Sequence, residues 1–289
     1  MQWRIGKVKI TRIIESETTG GTRFILPQVG PDDVKALPWL IPRFANDQGR
    51  LKMTIHSLVV ETPSQRVVVD TCLGNDKQGR KVPTWNNLHN PFIEDMTAAG
   101  YPPESIDMVL CTHLHVDHVG WNTKLVDGKW IPTFPNARYV FGAVEYEHWK
   151  THRESAEQAA EFDDSVQPIM EADRADLVAS DHRLSNEITL IPTPGHSPGH
   201  MSVHIKSDGE EALLTGDVAH HPVQMAHLGW SSTADSDPIA AAGTRRELFS
   251  RFADTPILVI GGHFDAGFLK RDSDAFRLEA FAEATRAGG

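Results

Sequence analysis

Four short apolar runs in this chain each lead, within a few residues, to a histidine or an aspartate. Residues 108–112 run into His113. Residues 188–192 precede His196, 212–215 precede Asp217, and 257–260 precede His263. Apolar runs of four or five residues bounded by turn residues read as buried strands. Side chains delivered from four strand ends meet only if the strands share a sheet edge, so the chain is constrained to a sheet whose loops gather at one rim. Gly195, Gly216, Gly261 and Gly262 sit beside three of these ends, where a tight backbone turn favours glycine.

The densest of the four is Leu110-Cys111-Thr112-His113-Leu114-His115-Val116-Asp117-His118-Val119-Gly120. Neutral imidazole and carboxylate are good ligands for zinc and related divalent ions. If the chain stays extended through His113 and His115, their side chains share a face, because the strand period is two. Asp117 and His118 then require a turn and point to a second position. The spacing predicts two metals rather than one, with His196, Asp217 and His263 completing the ligand set. Taken singly, His196 and His263 would read as hydrogen-bonded structural histidines.

Three other patterns imitate chemistry. Gly195-His196-Ser197-Pro198-Gly199 is a literal G-x-S-x-G, but a nucleophile elbow leads into a helix, and residues 201–206 read as a strand. His148 and His152 lie four apart on a predicted helix, without the glutamate of a zincin motif, and read as a solvent-facing pair. Cys72 and Cys111 sit in apolar contexts and read as buried thiols, not nucleophiles or a disulfide framework.

Along the rest of the chain β-branched runs alternate with helical patterns, without a repeat or polar linker to divide it. Residues 8–15, a hairpin of 53–61 with 66–70, and residues 138–141 read as strands; so do 201–206 and 212–215, joined by Ser207-Asp208-Gly209. Helices are predicted from an Asn90 cap with Pro91 at the first position to Gly100, over 143–151, and over 238–252 with a stripe of Ile239, Ala242, Phe249 and Phe252. A closing helix is predicted over 274–286. The expectation is a layered α/β fold in one domain, residues 1–289. Residues 24–50 look like an inserted loop or lid, and the acidic stretch 151–181 like a solvated face. Trp39, Phe44, Trp121 and Trp230 are candidates to line an apolar pocket.

The net charge of −11, with no Lys/Arg-rich block, disfavours a nucleic-acid partner. No apolar run approaches the ~18–20 residues of a membrane span, and Met1-Gln2-Trp3-Arg4-Ile5-Gly6-Lys7 lacks the apolar core of a signal peptide. A cytoplasmic protein acting on a small molecule, with a homodimer permitted and neither a nucleic-acid nor a membrane partner, is expected.

The His-x-His-x-Asp-His motif with downstream His196, Asp217 and His263 resembles the metallo-β-lactamase superfamily, and the match runs from the 67–71 strand end to Gly262-His263. The resemblance implies a four-layer αββα sandwich with metals at one edge of two packed sheets. It implies two divalent ions per chain, zinc by preference: one held by His113, His115 and His196, the other by Asp117, His118 and His263, with Asp217 bridging. Asp70 resembles the family's structural aspartate. The implied activity is hydrolysis by a metal-bound hydroxide, with Asp117 passing a proton. Persulfide dioxygenase-like members, a redox class, use one iron and fewer ligands. Among the hydrolases, N-acyl-homoserine lactonases place a Tyr three residues after the bridging Asp. Here that residue is His220, and Gly216-Asp217-Val218-Ala219-His220 is similar to the branch of methyl parathion hydrolase. The expectation is an enzyme for a small neutral ester, lactone or phosphotriester, with His220 a neutral hydrogen-bond donor to substrate; a lactonase is the alternative.

Overall fold

The β-branched runs pair into two large sheets in the computed structural model, which describes residues 1–153 and 155–281. In chain order the strands are β1 (Gln2–Ile5), β2 (Val8–Thr19), β3 (Lys52–Glu61), β4 (Arg66–Val69), β5 (Met108–Leu110), β6 (Thr123–Val126), β7 (Lys129–Pro132), β8 (Arg138–Gly142), β9 (Ala175–Val178), β10 (Ile188–Pro192), β11 (Met201–Ser207), β12 (Glu210–Leu214), β13 (Leu258–Ile260), β14 (Gly267–Asp272) and β15 (Ala275–Ala280). The first sheet has the order β1-β2-β3-β4-β5-β8-β9 and the second β10-β11-β12-β13-β14-β15, with β6 and β7 forming a separate ribbon. The helices are α1 (Pro31–Lys35), α2 (Phe92–Ala98), α3 (Val116–Val119), α4 (Ala143–Thr151), α5 (Ala156–Ser165), α6 (Gln167–Glu171), α7 (Val223–Ala226) and α8 (Pro238–Phe252).

The period of two in a strand sorts side chains between layers. On β4, Val67 and Val69 turn inward with Ile10, Val60 and Leu110, and meet Val203, Ile205 and Leu214 of the second sheet. Val68 turns the other way, with Val109 and Tyr139, onto Met96, Tyr146, Phe162 and Ile169 from α2, α4, α5 and α6. The outer face of the second sheet, through Leu213 and Val259, packs on Leu248 and Phe249 of α8 and on Leu26, Leu40 and Phe44. The layers run helix, sheet, sheet, helix, which is the αββα sandwich. Each of these fully buried aliphatic side chains contributes about 1.5–3 kcal/mol through burial.

Several local expectations change. Residues 275–280 form a strand, not the start of a helix: Phe276 and Leu278 are buried, and Ala275 follows Asp272 through a two-residue turn that pairs β15 with β14. The remainder of the predicted closing helix, from 282, lies outside the described residues. Helix α2 starts at Phe92 with Pro91 in the capping position, one residue later than expected. Helix α8 forms as predicted and Phe249 and Phe252 of the stripe are buried, but Ile239 is 86% exposed and Ala242 only half-buried; Ala241, Arg245 and Leu248 complete the buried face. The stretch 151–181 is no mere solvated face, because it buries Phe162, Val166 and Ile169 and supplies the edge strand β9. Within 24–50, Leu26, Val29, Val34, Leu40, Phe44 and Ala45 are buried in the outer core of the second sheet. Phe44 and Trp121 are core residues, and Trp39 and Trp230 are partly buried against that same outer core. Among the described residues no helix is long and apolar enough to cross a membrane.

Candidate metal centre

The ends of β5, β10, β12 and β13 deliver His113, His196, Asp217 and His263 to one rim, and His115, Asp117 and His118 follow on the turn into α3. His113, His115 and His196 form a first group in which the ligand atoms lie within 4.8 Å of one another. His196 Nε2 stands 3.1 Å from His113 Nε2 and 2.8 Å from His115 Nδ1. Asp117, His118 and His263 form a second group. In it, Asp117 Oδ2 is 3.6 Å from His263 Nε2 and Asp117 Oδ1 is 3.8 Å from His118 Nε2.

Asp217 stands between the groups. Its Oδ2 lies 3.9 Å from His113 Nε2, 3.5 Å from His196 Nε2, 3.4 Å from His118 Nε2 and 3.1 Å from His263 Nε2. His220 belongs to the same cluster, with Nε2 3.1 Å from Asp217 Oδ2, and its ring lies parallel to that of His263. The turn that aims Asp217 depends on Gly216, whose φ is +53° and whose position leaves no room for a Cβ: one would lie 2.7 Å from His200 Nε2. That same His200 nitrogen accepts the Asp217 N–H at 2.9 Å, fixing the loop from below.

The orientation of the ligands is set from behind. Asp70 accepts from His118 Nδ1 at 2.8 Å and from the Thr112 N–H at 2.7 Å. Asp235 accepts from His196 Nδ1 at 2.9 Å and from the Ser232 N–H at 2.9 Å. The Thr54 carbonyl accepts from His263 Nδ1 at 3.0 Å. A ligating imidazole that donates its other N–H to a carboxylate or carbonyl has its tautomer and ring plane fixed, and its free nitrogen faces the metal. Here three ring nitrogens are fixed in this sense.

A divalent cation suits these donors. His118 Nε2 and Asp217 Oδ1 are buried polar atoms without a hydrogen-bond partner, which a packed interior rarely leaves. Burial pushes the His113 and His196 imidazoles well below the usual histidine range and His115 down to about 4. Those three therefore present lone pairs at neutral pH. Burial also opposes charge on His118 and His263, but Asp217 and the nearby carboxylates outweigh it, raising His118 well above its usual range and His263 to about 9. Burial of Asp217 is overcome by His263, His118 and His220, so its carboxylate stays ionised. A cavity that gathers this much anionic and lone-pair density calls for positive charge at its centre.

All eight candidate residues named from the sequence meet at this rim. His148 on α4 and His152, just past its end, stack at 4.3 Å and join neither group. Cys72 and Cys111 are buried, and burial pushes both thiols up, as expected of inert cysteines. Sequence reasoning missed Asp235, Thr54 and His200 as orienting groups. By resemblance it placed Asp70 as a structural aspartate and missed its bond to His118. Asp70 follows the run Val67-Val68-Val69, the same strand-end signal that marked the ligands. Asp235 has no such signal, for it lies in a polar loop 39 residues from its partner.

A three-histidine group and an aspartate-and-two-histidine group with Asp217 between them, at one edge of an αββα sandwich, define a metal-binding fold of known type. The model of the Metallo-beta-lactamase superfamily matches residues 52–263, and the chain belongs to that superfamily. It is similar to the N-acyl homoserine lactonase AiiA of Bacillus thuringiensis subsp. kurstaki, 24% identical over 183 residues, covering 59% of this chain and 66% of that protein. It is also similar to the N-acyl homoserine lactonase AttM of Rhizobium radiobacter, 29% identical over 152 residues, covering 50% of this chain and 54% of that one. The chain thus matches less than two thirds of the length of these relatives. Among solved structures, the hydrolase AbOPH in the beta lactamase superfamily superposes with a TM-score of 0.79 at 23% identity, over 98% of this chain and 97% of that chain. The dizinc quorum-quenching lactonase AidC superposes with a TM-score of 0.75 at 19% identity, over 99% and 98%. At these identities the structural likeness speaks for the fold.

Proposed function

We propose that this protein is a dinuclear metal-dependent hydrolase that opens a small, neutral, fairly apolar ester, lactone or phosphotriester. The observation that carries the reading is the place of Asp217, whose Oδ2 lies within 3.9 Å of ring nitrogens from both ligand groups. His113, His115 and His196 would hold one ion, Asp117, His118 and His263 the other, and Asp217 would serve both. Two divalent cations, zinc by this nitrogen-and-oxygen donor set, would supply a water acidic enough to ionise near neutral pH and a Lewis acid for the substrate oxygen.

The chain's own residues do the rest. The Asp117 carboxylate is the more open of the two aspartates, 15% exposed against 3% for Asp217. It would take a proton from the attacking water and return it to the leaving group. His220, aimed into the cluster, donates an N–H to the oxygen on which charge develops. The similarity to lactonases supports a lactone, and the residues 216–220 support a phosphotriester. Seven ligands exceed what a single iron of the redox class would use.

A panel of lactones, aryl esters and phosphotriesters tests the reading. Turnover of at least one class is expected. His220→Ala is expected to keep its metals and lose roughly 10–1000-fold in kcat/KM, the scale of one lost oxyanion donor, and His220→Tyr to shift preference towards lactones. No turnover across the panel by a protein holding two ions would overturn hydrolysis, and unchanged kinetics in His220→Ala would remove His220 from the reaction.

A further inference from the structure

We propose that Glu145 is the positioning residue of the first metal group, a buried carboxylate that ties the two ligand loops carrying His113, His115 and His196 to the first turn of α4. The inference rests on the dinuclear reading above.

Glu145 is fully buried. Its Oε1 accepts the Leu114 N–H at 3.1 Å and the Trp149 Nε1–H at 2.6 Å; its Oε2 accepts the Ser197 hydroxyl and the Gly199 N–H, both at 2.8 Å. Leu114 is the residue between His113 and His115, and Ser197 directly follows His196. One carboxylate therefore joins two loops that are otherwise 81 residues or more apart in sequence. A carboxylate offers about four lone-pair positions, and all are taken by donors. Burial raises the Glu145 carboxyl above its usual range, and the groups that oppose this are the hydrogen-bond donors Leu114, Ser197, Trp149 and Gly199.

The backbone is built for this contact. A Cβ on Gly199 would stand 2.3 Å from the Glu145 nitrogen, and one on Gly142, at the start of α4, 3.2 Å from the Gly199 oxygen. Close approach explains the second glycine of the G-x-S-x-G pattern, and the bond to Glu145 explains its serine: Ser197 is a donor to a structural anion, not a nucleophile. Trp149, held by the same carboxylate, sets its ring edge-on against His115, with centroids 5.3 Å apart. None of the four donors belongs to the second group, whose His118 and His263 are held by Asp70 and the Thr54 carbonyl. Asp70 also accepts from Thr112, whose Oγ1 lies 3.1 Å from His113 Nδ1, so it touches both groups, whereas the four donors of Glu145 reach the first group alone.

The test is chelator competition on the full chain loaded with zinc, and the visible spectrum after cobalt substitution. In Glu145→Gln the amide NH₂ must face two donors, which releases one loop. One of two ions is expected to bind about 10–100-fold more weakly, the scale of lost outer-sphere support, while the other changes less than about threefold. His118→Ala, which strips the second group, marks which phase belongs to which group. Ser197→Ala, which removes one donor of four, is expected to weaken the same ion as Glu145→Gln by a smaller factor. Equal weakening of both ions, or unchanged affinities, in Glu145→Gln overturns the proposal. Should that variant not fold, unchanged affinities in Ser197→Ala overturn it. Wild-type protein that binds fewer than two ions overturns the dinuclear reading, and this proposal with it.

Discussion

Replacing Asp70 with Asn removes a charge from behind the second metal group and leaves the backbone as it is. Asp70 has φ of +58°, a left-handed conformation that Asn tolerates as well as Asp does. Its Oδ1 receives the Thr112 N–H at 2.7 Å, a donor with no alternative role, so the amide oxygen of Asn must occupy that position. The NH₂ group then faces His118 Nδ1, 2.8 Å away in the wild type. Nδ1 must accept, which places the ring proton on Nε2, the nitrogen that faces Asp217 and the second group. The histidine is held in the tautomer that cannot ligate. A hydrogen bond to a charged group contributes about 1.5–3 kcal/mol, and each 1.4 kcal/mol is tenfold in affinity, so one ion should bind roughly 10–100-fold more weakly. Chelator competition measures this directly, with thermal melting as a control for folding. Asp70→Ala should melt lower than Asp70→Asn, because the buried Thr112 N–H is left unpaired at a cost of about 1–3 kcal/mol of folding stability. Two ions held as tightly in Asp70→Asn as in the wild type would refute the tautomer argument.

Three further outcomes are expected. Asp117→Asn should lose more turnover than metal, since Asn keeps an oxygen but not the basicity; an unchanged kcat would end its proton-transfer role. Asp217→Ala should release or displace at least one ion, read by elemental analysis, and full retention of both would contradict its shared position. Lys77, with its amine fully buried, donates to Thr123 at 2.7 Å and lies 3.4 Å from Asp164; burial, against the pull of Asp164, lowers its pKa from 10.5 to about 7. Between pH 7 and 10.5 the unfolded chain then binds the extra proton, so this group makes stability rise with pH across that window and imposes its full cost below it. Denaturant midpoints from pH 6.5 to 9.5 should gain more with rising pH in the wild type than in Lys77→Met, and identical profiles would refute the assignment.

Much of the site is legible in the sequence because strand ends, spacing and ligand chemistry are local signals. His113, His115, Asp117 and His118 lie in one short segment, and His196, Asp217 and His263 each follow an apolar run. The layer order is implied only by the family resemblance, because a run such as Val67-Val68-Val69 is apolar throughout and does not say which side meets the second sheet and which the helices. The misses are tertiary. Residues 274–286 carry spacing compatible with a helix, yet pairing with β14 fixes 275–280 as a strand. Ile239 fits the helical stripe of α8, but the helix packs on a neighbouring face. Glu145 and Asp235 act on loops 52 and 39 residues away, at no spacing that a sequence rule recognises.

The central claim is that the rim holds two divalent ions per chain, and metal analysis of the full-length protein tests it most directly. Purified without added metal and measured by mass spectrometry against protein concentration, the wild type should carry about two equivalents of divalent ion, zinc foremost. Chelation should abolish turnover, and adding zinc back should restore it. A single tightly held iron per chain, with no second ion taken up on titration, would contradict the account and place the protein with the redox members of its superfamily.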